Sequence, residues 1–91
     1  MNIVNPTLPT IHLNGTGAKT LYEEYRTARH AIGAALDALA AATCNARDFY
    51  PQETGAWERA RAERQEAFRL LNLVLIYTEF WERHAAEHDR R

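Results

Sequence analysis

The sequence predicts an all-α chain: an antiparallel two-helix hairpin with an extended N-terminal arm, self-associating into a helical bundle. Three observations carry this. Two long segments repeat their apolar residues at alternating spacings of three and four, the pattern of an amphipathic helix. One short connector with a proline and two aromatics separates them, and helices joined so briefly lie side by side. Part of the second segment is apolar on nearly every side, so a single neighbouring helix cannot cover it.

Residues 1–15 form the arm. Pro6 and Pro9 exclude a helix there and favour extended backbone. Its Ile3, Val4, Leu8, Ile11 and Leu13 have no core of their own and are expected to lie along a neighbouring surface. Residues 16–91 make the hairpin. The first helix runs over about residues 17–43, with a seam of Leu21, Tyr25, Ala28, Ile32, Ala35, Leu39 and Ala42. Small seam residues let a partner helix approach closely. The expected N-cap is Thr16, or Thr20 paired with Glu23 in a capping box. Gly33 costs about 1 kcal/mol relative to alanine inside a helix, and a close backbone contact is the expected reason for it.

The connector runs from Cys44 to Thr54, and Thr54 is the expected N-cap of a second helix over about residues 55–88. The second seam is Trp57, Ala60, Arg64, Ala67, Leu71, Val74, Thr78, Trp81 and Ala85. Within it, Phe68 to Trp81 is apolar all round. Phe68, Leu70, Leu73, Ile76, Tyr77, Phe80 and Trp81 are therefore the expected oligomer interface. Leaving such side chains in water costs roughly 1.5–3 kcal/mol each relative to burial, and symmetric self-association offsets this most simply. An apolar surface for a host protein is the alternative.

Charge and composition narrow the function. Lys and Arg number 11 against 12 Asp and Glu, for a net charge of −1, which argues against nucleic-acid binding. A lone cysteine, Cys44, excludes an internal disulfide and suits a reducing compartment. No run reaches the roughly 18 apolar residues of a membrane span. The N-terminal MNIVNPTLPT has neither the basic start nor the apolar core of a signal peptide. A soluble intracellular chain is the expectation.

Two motifs are candidates for ligand chemistry. Asn14, Gly15, Thr16, Gly17, Ala18, Lys19 and Thr20 form a glycine-containing turn that feeds a helix N-terminus, where free amides and the helix dipole favour an anion. A Walker A loop would require glycine at Leu13 and Ala18 and a preceding strand, so an NTPase is excluded. Turn and cap chemistry alone also selects these residues. The second motif is Arg47, Asp48, Phe49, Tyr50, Pro51 and Gln52. Arg47 suits phosphate or carboxylate, and Tyr50 or Phe49 suits stacking on a base. Capping by Arg47 and Asp48, with the aromatics plugging the bundle end, is the structural alternative. The motifs sit at opposite ends of the first helix, roughly 40 Å apart, and share a pocket only across a subunit interface.

Catalysis has little behind it. His84, Glu87 and His88 match H-x-x-E-H, the inverted zinc-peptidase spacing, but no downstream carboxylate is expected to serve as a third ligand. A solvated helix end, with His and Arg complementing the dipole, is the expected reading. Cys44 lies near a helix C-terminus, where the dipole raises a thiol pKa. The expectation is no enzymatic activity, no metal and no cofactor.

The pair Ile11-His12-Leu13-Asn14-Gly15-Thr16 and Arg47-Asp48-Phe49-Tyr50-Pro51-Gln52, each followed by a helix, resembles a family of short helical-hairpin proteins of tailed bacteriophages. The resemblance covers roughly residues 11–81. More loosely, the layout is similar to the hairpin subunits of phage anti-defence sponges, which trap nucleotide signals at subunit interfaces. This chain lacks the Tyr-His-Ala-Pro start and the Thr-Lys-Leu-Glu-Glu segment of those hairpins, so the similarity is architectural. The resemblance implies a phage accessory protein in the cytoplasm of the infected host and maps no ligand residues onto this chain; from the chemistry of the two motifs, a phosphate-bearing ligand between subunits is expected to meet Asn14, Gly15, Thr16, Gly17, Lys19, Arg47 and Tyr50. An inhibitor or adaptor of a host factor, or a small virion component, is the alternative.

Overall fold

The computed structural model describes residues 2–89. Its elements are α1, Ala18–Ala41, a short 3-10 turn, Ala46–Phe49, and α2, Ala56–Asp89. The two helices pack against each other as a hairpin, and there is no strand among the described residues. The pairing is antiparallel: Tyr25 near the start of α1 stacks on Trp81 near the end of α2, while Arg64 of α2 reaches the end of α1. No helix among the described residues is long and apolar enough to cross a membrane.

The expected caps are replaced. The N-cap of α1 is Gly17, in extended backbone and with no side-chain cap bond, so neither Thr16 nor Thr20 caps this helix. The chain bends earlier instead, where the Gly15 amide donates to the His12 carbonyl at 3.1 Å. A second bend precedes α2. The Ala56 amide donates to the Glu53 carbonyl at 3.2 Å, and Gly55 sits at φ 95°, a left-handed conformation that glycine adopts without steric cost. The helix therefore starts two residues beyond Thr54. The 24-residue α1 ends at Ala41, short of Thr43.

The helix C-terminus is finished from outside. α1 has no basic residue in its last turn; the Ala42 amide reaches back to the carbonyls of Ala38 and Leu39, and the carbonyls beyond them lie past the helix's own donors. Arg64 of α2 adds a donor there, donating from Nη2 to the carbonyls of Leu39 at 3.0 Å and Ala40 at 3.3 Å. This explains an arginine in an otherwise apolar seam. Its cation faces the negative end of the dipole, and its guanidinium lies 5.2 Å from the centre of the Phe68 ring.

Gly33 has a different reason from the expected one. A Cβ built at Gly33 meets nothing within 4 Å, so no close backbone contact requires it. Gly33→Ala is expected to stabilise the fold by about 0.5–1 kcal/mol through helix propensity. A thermal melt should show Tm higher by roughly 3–6 °C; an unchanged or lowered Tm would mean that α1 needs glycine there.

The seams are only partly buried. Ala35 and Ala42 of the first, and Ala67 and Val74 of the second, are exposed, while Leu36, Phe68 and Leu75 turn inward to half-buried positions. The difference follows from geometry: a straight helix drifts about 20° per heptad from a 3.5-residue repeat. Among the described residues only Ala56, Thr78 and Ala85 are buried, and no large side chain is fully enclosed. Thr78 satisfies its hydroxyl by donating to the Leu75 carbonyl at 2.7 Å.

The arm follows α2. Asn2, Ile3, Asn5, Pro6 and Thr7 line a cavity of about 440 Å³ with Tyr77. Further along, His84 Nε2–H donates to the Pro9 carbonyl at 2.7 Å. The arm thus covers part of the segment that is apolar all round.

Candidate functional site

The residues with binding potential fall into three places: the two ends of the hairpin and its middle. At one end stand Asn14, Gly15, Thr16, Gly17 and Lys19, all exposed. A Cβ at Gly17 meets nothing within 4 Å, and no side chain caps the start of α1. The first turn of α1 contains no acidic residue, which leaves Lys19 as its nearby charge.

At the other end lies the 3-10 turn. The sequence left two readings of its aromatics, and the structure divides them between neighbours. Phe49 is half-buried and packs on Trp57 with ring centres 5.8 Å apart, closing the end of the hairpin. Tyr50 is 75 % exposed. Arg47 is also exposed and forms no ion pair among the described residues. The bend beside it is tied by Arg59 and Glu53. The Glu53 carboxyl is held below its ordinary pKa by its own backbone amide first and by Arg59 second. The 24 residues of α1 separate the two ends by about 36 Å. No single chain brings Lys19 and Arg47 to one ligand.

The middle holds the expected interface residues, and the fold uses them unequally. Trp81 stacks on Tyr25 within the hairpin, with ring centres 4.6 Å apart and planes at 10°. Tyr77 leans on the same Trp81 at 6.2 Å and borders the arm cavity. Burial first, and the neighbouring Tyr77 phenol second, raise the Tyr25 pKa above its ordinary 10.0. Phe68 lies half-buried beneath Arg64. Leu73 and Phe80 are half-buried, with Arg83 5.5 Å from the Phe80 ring centre. Leu70 and Ile76 remain exposed, at 50 % and 37 %.

Two features escaped the sequence reading. Arg29 of α1 and Glu82 of α2 form a two-pronged ion pair, Nη2 donating to Oε1 at 3.2 Å and Nε to the other oxygen. That hydrogen bond is the main cause of the raised Arg29 pKa. Arg29 and Glu82 line a shallow open cleft with Tyr22, Glu79, Arg83 and Ala86. Neither residue belongs to an apolar seam, so periodicity gave no signal.

The second feature concerns the histidines. His84 holds the arm through Nε2, and His88 Nδ1–H donates to the His84 carbonyl at 2.8 Å. The rings lie 4.4 Å apart. Among the described residues no three His, Cys, Asp or Glu side chains gather as a metal-binding group. The motif at this helix end does structural work by fastening the arm.

Comparison with protein families, with curated proteins and with solved structures gives no match.

Proposed function

We propose that this chain is a non-catalytic subunit of a homo-oligomer that takes up a small phosphate-bearing ligand, of the nucleotide-signal class, where copies meet. One observation carries the reading: a single copy lacks a closed core. Its accessible surface is 6755 Å², whereas a self-contained monomer of 10.4 kDa exposes about 5,400 Å². Its radius of gyration is 18.6 Å, against about 12 Å for a compact domain of this length. A molecule of 62 × 25 × 16 Å is one layer of helices, and stable domains are built from at least two packed layers.

The ligand part of the reading is supported by the exposed cations. Lys19 stands at an uncapped helix start, and Arg47 stands beside the exposed Tyr50 at the other end. An antiparallel neighbour lying alongside brings one copy's Lys19 beside the other's Arg47 and Tyr50, supplying both cations and a stacking ring to one anion. With the resemblance to phage hairpins, this describes an accessory protein that sequesters a nucleotide immune signal in the infected host's cytoplasm.

The test combines light scattering with a thermal-shift panel of mono-, di- and cyclic nucleotides. The expected result is a multimer whose Tm rises with at least one nucleotide. Lys19→Ala and Arg47→Ala should each abolish the rise and leave the multimer intact. A multimer unmoved by every phosphorylated compound overturns the ligand, and a single subunit at micromolar concentration overturns the whole reading.

A further inference from the structure

We infer that a second copy of this chain docks on one face of the hairpin, formed by Ala31, Ala35 and Ala38 of α1 with Ala67, Leu70 and Val74 of α2, to complete a four-helix bundle. This rests on the self-association proposed above and adds the surface that makes it.

At 100° per residue, Ala35 lies about a quarter-turn from the inward stripe of α1, and Leu70 about a quarter-turn from that of α2. Because the helices run antiparallel, the two quarter-turns carry both residues to the same side of the hairpin plane. They also lie at one level, between the Arg29–Glu82 pair towards one end and the Arg64–Leu39 bond towards the other. All six residues are exposed.

The seam pattern agrees. Ala35, Ala67 and Val74 occupy seam positions in both repeats yet stay uncovered in the hairpin. A helix in a four-helix bundle meets two neighbours, and its apolar stripe is wide enough for both. A hairpin supplies one neighbour, so half of each stripe is left. Alanines on α1 admit a partner helix closely, and Leu70 and Val74 supply the bulk that fills the gap.

Other faces fit less well. The side of α2 around Ile76 is interrupted by charge: Arg69 is bound to Glu66 at 2.6 Å and Arg83 lies over Phe80. Such pairs are content in water. The upper part of α2 beside Tyr77 and His84 is occupied by the arm. On the proposed face of α1, the nearby His30 and Asp37 turn away by the same 100° rotation.

Area identifies the occupant. The excess surface of the chain over a self-contained monomer is about 1,350 Å², and a stable interface needs about 800 Å² from each partner. One further copy meets that requirement, and a two-fold pair is the commonest closed assembly.

The experiment is sedimentation of the full chain with Ala35→Glu, Ala38→Lys, Leu70→Glu and Ile76→Glu, each checked for helical content by circular dichroism. The first three place a charge in the joint and leave it unpaired. Each should weaken dimerisation by at least about 100-fold at unchanged helical content, and Ile76→Glu should sediment like the unmodified chain. If the unmodified chain dimerises and the first three variants still do, this face is wrong although self-association stands. If the unmodified chain is a single subunit, both readings fall. Ala35 and Ala38 are exposed helix positions where Glu and Lys keep good helix propensity, so a variant that stays unfolded even at protein concentrations that re-form a weakened dimer would also overturn the assignment.

Discussion

Trp81→Ala is expected to lower stability by about 3 kcal/mol. Trp81 stacks on Tyr25 across the helix pair and also meets Tyr77. It is the largest side chain holding the two helices together near the start of α1. A core with no fully enclosed large side chain has little else to compensate for the gap. Tm should fall by roughly 12–20 °C at fixed protein concentration, read by circular dichroism. Trp81→Phe should cost far less. Its ring keeps the contact with Tyr25, and it removes an indole Nε1–H that is buried without a hydrogen-bond partner, a defect worth about 1–3 kcal/mol. A loss for phenylalanine as large as for alanine would show that the indole contributes something other than stacking area.

Arg64→Met is expected to cost about 2 kcal/mol. Methionine keeps most of the stem that covers Phe68 but cannot donate to the Leu39 and Ala40 carbonyls. Those carbonyls end α1 and gain no other side-chain donor among the described residues. The loss should therefore be local as well as global. Amide exchange at Ala41 and Ala42 should accelerate, while exchange around Tyr25 follows only the overall stability. Arg64→Lys should recover part of the effect, since an ammonium carries the charge but lacks the planar fork. Equal protection of the last turn of α1 in Arg64→Met and the unmodified chain would remove the cap from the account.

The hairpin was legible because apolar periodicity survives any detail of packing. Leu21, Tyr25, Ile32 and Leu39 recur at helical spacing, and so do Ala60, Leu71, Thr78 and Ala85, which sufficed for two helices and their order. Caps were less legible. Thr16, Thr20 and Thr54 are all good N-caps by type, but Gly17 caps α1 and Gly55 makes the turn before α2. Gly17 is extended at the start of α1 and Gly55 left-handed before α2. Arg64 was visible as an anomaly in its seam, yet its partner lies 25 residues away on another helix. The same holds for Arg29 with Glu82 and for His84 with Pro9, contacts across 53 and 75 residues. Patterning within a helix reports the direction of a face and carries no record of which polar groups meet across it. At the candidate site, Tyr50 and Phe49 looked alike in sequence, and only the position of Trp57 separates the plug from the exposed ring.

The fastening of the arm has a consequence for how the hairpin's outer surface is shared. A proline ring removes the main-chain N–H, so Pro9 offers a carbonyl and nothing more. An α-helix spends its own amides on itself, so only a side chain of α2 can meet that carbonyl. One imidazole therefore fixes where Pro9 of the arm meets α2. Moving that imidazole one turn towards Tyr77 would draw Pro9 about 5.4 Å along α2, towards the flank that Leu70 and Val74 leave bare.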